Sequence, residues 1–163
     1  MPKSWQQKMA DKEGTPKVLT LQENFPCYNA AYKMGANPGD RIVLVNPREV
    51  EALMRLVPEG KVTTLMEICA KLARVYNVRA CCTLTAGIFT MTAANAAEEM
   101  KAEGKPCDLA WWRTLKAGGE LNPKFPGGIA GHTARLEDEG FTIVYKGKKA
   151  FVKDFEFFLH ISD

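Results

Sequence analysis

The segment "VPEGKVTTLMEICAKLARVY", residues 57–76, combines a helix stop and a helix start. Pro58 and Gly60 end any helix that precedes them. Thr64 stands three residues before Glu67, which is the spacing of a capping box, in which the two side chains satisfy free backbone N–H groups. The apolar residues that follow recur at helical spacing and predict a buried stripe formed by Leu65, Ile68, Cys69, Leu72 and Tyr76. The segment therefore predicts a turn followed by an amphipathic helix.

Regular elements are also predicted on both sides of this segment. Upstream, "RIVLV" at residues 41–45 predicts a strand, and Pro47 opens a helix that carries Val50, Leu53, Met54 and Val57 at helical spacing. Downstream, a turn around Asn77 leads to a helix from about residue 85 to residue 101, before Gly104. Two helices joined by a short turn are compatible with a helix-turn-helix, although any helical hairpin would have the same pattern.

Turns and strands dominate the carboxy-terminal third. "TLKAGGEL", residues 114–121, places two glycines between apolar residues and predicts a hairpin or a wing. "GGIAGHTARLEDEG", residues 127–140, predicts a short helix between glycines. "FTIVYKGKKAFVKDF", residues 141–155, predicts two strands around "KGKK". The predicted class is therefore an α+β domain with at least one hairpin.

The chain changes character near residue 40. Before it, proline and glycine interrupt short segments that include a predicted helix at residues 3–10 and the strand "KVLTL" at residues 17–21. We therefore predict an irregular amino-terminal arm, residues 1–40, followed by a domain at residues 41–163.

Composition excludes some classes of function. The 163 residues are 46% hydrophobic, which fits one ordinary globular domain. A net charge of +3 is too small to establish a nucleic-acid partner, although basic residues are in excess over residues 41–80. The amino terminus lacks the apolar core of a secretory signal, so we expect a cytoplasmic protein. The longest uncharged run, residues 80–97, is a poor match to a bilayer span, so no membrane partner is expected.

The five cysteines do not form a disulfide or metal pattern. Their number is odd and no CxxC spacing occurs, which is typical of reduced, buried thiols. Adjacent Cys81 and Cys82 cannot easily share one tetrahedral ion, and the chain has two histidines, His132 and His160, to complete a zinc site. We therefore predict no metal and no cofactor.

Four stretches together resemble a known family. "VPEGKVTTLMEIC", "WWRTL", "GGIAGHTARLEDEG" and the terminal strand pair resemble the winged-helix domain of the alkylguanine-DNA alkyltransferases, also called methylated-DNA-protein cysteine methyltransferases, over roughly residues 47–145. The resemblance implies a winged helix-turn-helix fold of alkyltransferase type. In that family a cysteine in a Pro-Cys-His-Arg-Val motif takes the alkyl group from O6 of a flipped guanine.

In the register of this resemblance, no cysteine occupies the position of the family's nucleophile. Aligning Arg113 with the motif's arginine places Trp111 over the cysteine and Trp112 over the histidine, while Cys107 falls outside the motif. Alkyl transfer needs an activated thiolate, and an indole cannot replace it. The chain therefore resembles the alkyltransferase-like proteins, which lack the reactive cysteine, bind alkylated bases and mark them for repair. The resemblance implies base or ligand binding by Trp111, Trp112 and Arg113.

Further candidate positions are hydroxyls at a helix start, which can contact phosphate, and residues that the resemblance aligns with family positions. The candidate DNA contacts are Thr63, Thr64, Thr92 and Asn95, and Glu139 aligns with a carboxylate that supports the family's active site. The resemblance places Ala93 where an arginine enters the space of the flipped base, and Leu65 where an aromatic residue helps to rotate the nucleotide.

Three hypotheses remain open at this point. The first is a non-catalytic alkyltransferase-like protein that binds damaged double-stranded DNA and cooperates with a repair protein. The second is a winged-helix module that binds a protein or a small ligand. The third is an active alkyltransferase that uses Cys107.

Overall fold

The structure is a computed structural model that describes residues 2–11 and 14–161. Within these ranges the helices are α1 (Trp5–Ala10), α2 (Tyr28–Lys33), α3 (Pro47–Arg55), α4 (Leu65–Val75), α5 (Thr83–Ala102) and α6 (Gly128–Asp138). The strands are β1 (Lys17–Thr20), β2 (Arg41–Leu44), β3 (Thr63–Thr64), β4 (Ala80–Cys81), β5 (Thr114–Leu115), β6 (Ile143–Lys146) and β7 (Lys149–Val152). The predicted α+β class is confirmed.

The amino-terminal segment shares a sheet and a core with the rest of the chain. β1 pairs antiparallel with β2, with Val18 opposite Val43, and β2 pairs parallel with β4. The α1 residue Met9 is 1% exposed in the core that also contains Trp111. The boundary at residue 40 remains a prediction, and the segments on either side of it are in contact.

Local capping sets two of the helix starts. The Thr64 hydroxyl accepts a hydrogen bond from the Glu67 N–H at 3.3 Å, and α4 begins at the next residue, as predicted. Asn46 forms a full capping box with Glu49 ahead of Pro47: each side chain accepts from the other residue's N–H, at 3.0 and 3.1 Å. These bonds satisfy backbone donors that the first helical turn leaves free.

Helix α5 is the element against which α1, α3 and α4 pack. Its buried side consists of small residues, which allow the other helices to approach closely: Ala86, Ala93, Ala94, Ala96 and Ala97. It begins two residues before the predicted start, and residues 76–82, which include β4, connect it to α4. Within the described ranges, no helix has both the length and the apolar content that a membrane crossing requires.

The carboxy-terminal third contains one of the two predicted hairpins. β6 and β7 form the antiparallel hairpin around "KGKK", with Lys146 opposite Lys149. The hairpin predicted at residues 114–121 is wrong. β5 pairs in parallel with β3, whereas Glu120 pairs with Phe151 of β7, so the residues that flank the glycines belong to different ladders. Local glycine content favours a turn, and long-range pairing decides what the turn connects.

Candidate functional site

An open groove of about 310 Å³ lies between the first half of α5 and residues 122–125, which we call the α5 groove. This volume lies at the small end of the range that ligand sites usually occupy. Apolar side chains form most of its surface: Leu65, Leu84, Ile88, Met91, Leu115 and Phe125. Polar groups also line it: Thr83, Thr90, Lys116, Asn122 and Lys124.

The exposed face of α5 that borders the groove is uncharged. Leu84 and Ile88 are 54% and 53% exposed, and they lie on one side of the helix because they are four residues apart. Between them, Gly87 contributes no side chain to the groove, and a Cβ there would lie 3.4 Å from Leu65 Cδ2. The groove therefore presents an apolar helix face.

Hydrogen bonds hold the opposite wall in place. The Asn122 side chain accepts from the Lys124 N–H at 2.9 Å, and the Asn122 N–H donates to His132 Nδ1 at 3.2 Å. The Asn95 amide donates to the carbonyls of Met91 at 2.9 Å and Lys124 at 3.4 Å. Asn95, a predicted DNA contact, thus connects α5 to the wall of the groove.

Trp111 is buried beneath the groove and does not line it. Its ring is 1% exposed and meets Phe125 edge-on, with 5.7 Å between ring centroids. The Trp111 Nε1–H donates to Glu98 at 3.0 Å. In this structure the indole offers no open face for a base, which corrects its expected role as the wall of the site. Phe125, which no sequence pattern indicated as a site residue, lines the groove but is itself 3% exposed.

Trp112 is half-buried and surrounded by cations. The Arg135 guanidinium carbon lies 4.8 Å from its ring centroid and the Lys101 Nζ 5.7 Å, both within the range of cation–π attraction. The Trp112 Nε1–H donates to Glu139 at 2.6 Å. Trp112 does not line the α5 groove, and its role as a ligand contact remains a prediction.

Arg113 and Glu139 form an internal ion pair. The Arg113 Nε and Nη2 atoms donate to the two carboxylate oxygens, each at 2.9 Å, and Nη1 donates to the Val57 carbonyl at 3.0 Å. The two side chains are 16% and 9% exposed. Burial by itself would raise the pKa of Glu139, but hydrogen bonds from Arg113 and Trp112 outweigh it and lower the pKa. Arg113 thus joins the turn after α3 to the end of α6.

Three of the predicted DNA contacts are buried. Thr63, Thr64 and Thr92 are 4%, 4% and 3% exposed. Thr63 and Thr64 form the β3 ladder with β5, and the Thr92 hydroxyl donates to the Ile88 carbonyl at 2.8 Å. Burial corrects the expected phosphate contacts in this conformation, because strand pairing covers Thr63 and Thr64 and the Thr92 hydroxyl is bonded within its own helix.

Ala93 and Leu65 stand where the resembled family has an arginine and an aromatic residue, and the structure places them in different surroundings. Ala93 is 1% exposed and faces the core, so position 93 is not where a side chain would enter a DNA duplex. Leu65, at the expected aromatic position, does line the α5 groove.

Cys107 lies away from the α5 groove. It lines a separate cavity of about 220 Å³ between α1, α3 and the end of α5, together with Arg48, Arg55 and Met100. The other four cysteines are buried, as predicted. In the described part of the chain, no three histidine, cysteine or acidic residues gather into a possible metal site.

Two solved structures are similar to this chain. One is a crystal structure of S. pombe Atl1 with damaged DNA containing O6-carboxymethylguanine, 20% identical with a TM-score of 0.47. The other is a crystal structure of the S. pombe alkyltransferase-like protein with DNA, 19% identical with a TM-score of 0.48. Each similarity covers 71% of this chain and 94% of the other. Both are of the protein class that the sequence resembles. No protein-family model and no curated protein sequence matches the chain.

Burial of His132 predicts a pH-dependent stability. The ring is 0% exposed, and burial lowers its pKa from 6.5 to about 4 even though the hydrogen bond to the Trp112 carbonyl opposes this shift. Because the unfolded chain binds the proton more readily, the stabilisation is full above pH 6.5 and is lost as the pH falls towards 4. We expect the free energy of unfolding to fall by about 2 kcal/mol between pH 7 and pH 5.

Urea denaturation at the two pH values measures this change. His132→Gln should remove most of the difference, whereas the control His160→Gln should keep it. An equal difference in wild type and His132→Gln would contradict the assignment.

Loss of the Glu139 carboxylate is expected to destabilise the fold. Glu139→Gln leaves the half-buried Arg113 without its charge partner, so the free energy of unfolding at pH 7 should fall by about 3 kcal/mol. Since the folded-state pKa is lowered, this stabilisation is present above the ordinary value of 4.5 and is lost as the pH falls through the folded-state pKa. The deficit of the variant should therefore shrink in acid.

Glu137→Gln is the matched control, because it removes the same charge from an exposed position two residues earlier on α6. It should change the stability by less than about 0.5 kcal/mol. A Glu139→Gln protein as stable as this control would refute the structural role of the ion pair.

Proposed function

We propose that this protein is a non-enzymatic alkyltransferase-like protein that binds double-stranded DNA and receives an alkylated or otherwise damaged base in the α5 groove. The observation that carries the proposal is the groove itself, an open and largely apolar cavity with Lys116 and Lys124 in its lining. None of its lining residues is a cysteine, so it combines room for a base with no thiol to accept an alkyl group.

The groove has the chemistry that a flipped base requires. The faces of a base are apolar and fit against the exposed side chain of Ile88 and the neighbouring Met91. The Asn122 side-chain amide provides a hydrogen-bonding group for the edge of the base. Flipping costs a few kcal/mol and costs least for a damaged base, which favours selective capture.

In this proposal α4 and α5 act as the helix pair of a winged helix, with α5 facing the duplex. Helix α5 has no charged residue before Glu98, so its first half cannot neutralise DNA phosphates. Attraction for the phosphate backbone of the DNA must therefore come from lysines beside the helix, beginning with Lys116 and Lys124. The resulting binding should weaken as salt rises, because bound phosphates release their counterions.

A second candidate is a winged-helix module for an apolar small molecule or a partner protein. It is favoured by a further cavity of about 220 Å³ on the other side of Leu84, whose lining is almost wholly apolar and includes Leu19, Phe25 and Leu44. Absence of duplex binding at moderate salt would favour this candidate over the first.

A competition assay tests the DNA-binding proposal. We expect a duplex with one O6-carboxymethylguanine, the damaged base of one S. pombe complex, to outcompete the same duplex with guanine at a fixed salt concentration. Ile88→Glu places a charge on the groove and should weaken binding of the damaged duplex by about tenfold or more.

Val75→Glu is the matched control, since Val75 is 60% exposed at the end of α4 and the substitution adds the same charge. It should bind within about twofold of wild type. Equal binding of the two duplexes by wild type, or equal weakening by the two substitutions, would contradict the proposal.

Intact-mass measurement separates binding from alkyl transfer. After incubation with the alkylated duplex, the protein should show no added alkyl mass, because Cys107 lies outside the groove. Cys107→Ala should keep the wild-type affinity for the damaged duplex. Alkyl mass on wild type that disappears in Cys107→Ala would establish the alkyltransferase hypothesis instead.

A further inference from the structure

The β6–β7 hairpin carries a concentrated positive charge. Residues 141–153 contain four lysines and no acidic residue. All four are exposed: Lys146, Lys148, Lys149 and Lys153. Among residues 2–11 and 14–161 none of them has an ion-pair partner. Four uncompensated cations on so short an element produce a local positive potential that attracts polyanions.

Strand register places three of these lysines on one face, which we call the hairpin lysine face. Lys146 lies opposite Lys149, and Val144 lies opposite Phe151, so these side chains point to the same side. The Lys153 N–H donates to the Thr142 carbonyl at 2.8 Å, which extends the ladder and places Lys153 on the side of Phe151. Lys146 Nζ lies 5.6 Å from the centroid of the Phe151 ring. Ala150 and Val152 face the core instead.

This face is continuous with the α5 groove. Glu120 pairs with Phe151 across the ladder, and the Lys116 Nζ approaches the Glu120 carboxylate at 3.8 Å. Lys116 in turn lines the groove. A chain of contacts thus leads from the groove through Lys116 and Glu120 to the hairpin lysine face.

We propose that the hairpin lysine face binds the sugar-phosphate backbone of a duplex whose damaged base occupies the α5 groove. Lysines four residues apart on a strand, such as Lys149 and Lys153, are separated by about 13 Å, which corresponds to about four base-pair steps of the duplex. The inference rests on the proposed function for the position of the duplex. It assigns to the hairpin the phosphate neutralisation that the uncharged face of α5 cannot supply.

An anionic membrane would also attract lysines, and Tyr145 on the same hairpin is 62% exposed. Continuity with the groove favours nucleic acid in this proposal, because one duplex would place its damaged base in the groove and its phosphates on the hairpin lysine face. Vesicles that contain phosphatidylserine therefore serve as a competing ligand in the test.

The test compares wild type with Lys146→Ala/Lys149→Ala/Lys153→Ala on the damaged and the undamaged duplex, over a salt series of roughly 50–200 mM. The triple variant should bind both duplexes more weakly by a similar factor, so the ratio of the two affinities stays constant. The slope of log K against log salt should become shallower by up to about 2.7, or about 0.9 for each phosphate that the variant no longer neutralises.

The matched control is Lys33→Ala/Arg48→Ala/Lys105→Ala, which removes three exposed basic residues from α2, α3 and the segment after α5. It should keep nearly the wild-type slope. Thermal unfolding of both variants verifies the fold, since all six side chains are exposed.

The outcomes separate the two proposals. A triple variant with wild-type slope and affinity overturns the hairpin proposal and leaves damage recognition intact. If wild type binds both duplexes equally and the triple variant binds neither, the result supports the hairpin proposal and contradicts damage recognition. If wild type binds no duplex at the lowest salt, or if the lysines matter only for the vesicles, the hairpin proposal is overturned.

Discussion

The buried carboxylate of Glu139 is the interaction on which the arrangement of the site depends. It accepts hydrogen bonds from Trp112 and Arg113, and Arg113 continues to the Val57 carbonyl. Three segments distant in sequence, the turn after α3, the 3₁₀ turn at Trp111–Arg113 and the end of α6, therefore hold a common position. The β3–β5 ladder lies between these anchors and brings Leu65 and Leu115 to the groove. A buried charge tolerates little displacement, because its partners cannot be replaced by water.

The tryptophans support the groove from behind. Trp111 packs against Phe125 and His132, and His132 bonds to Trp112 and to the loop at Asn122. This aromatic layer holds residues 122–125 at a fixed distance from α5. A rigid wall suits the proposed function, in which the groove binds a base by shape and does not use an activated nucleophile.

In the proposed function, the distribution of charge divides the binding task between two surfaces. The groove and the exposed face of α5 are apolar and suit a base, whose identity is read by shape. Lysines beside the helix, and in our proposal those of the hairpin, suit the phosphate backbone, which contributes affinity without sequence information. In this proposal, a net charge of only +3 for the whole chain is compatible with local attraction for DNA.

The sequence by itself determined the local elements: the Thr64 cap, the start of α3 at Pro47, the Gly-Gly start of α6 and the hairpin around "KGKK". These signals act over a few residues, so no knowledge of the rest of the chain is needed. Tertiary structure alone decided that Trp111, Thr63, Thr64 and Thr92 are buried, that Phe125 lines the groove, and that β5 pairs with β3. Burial and strand pairing depend on residues far away in sequence, and no local pattern encodes which side chains those residues will cover.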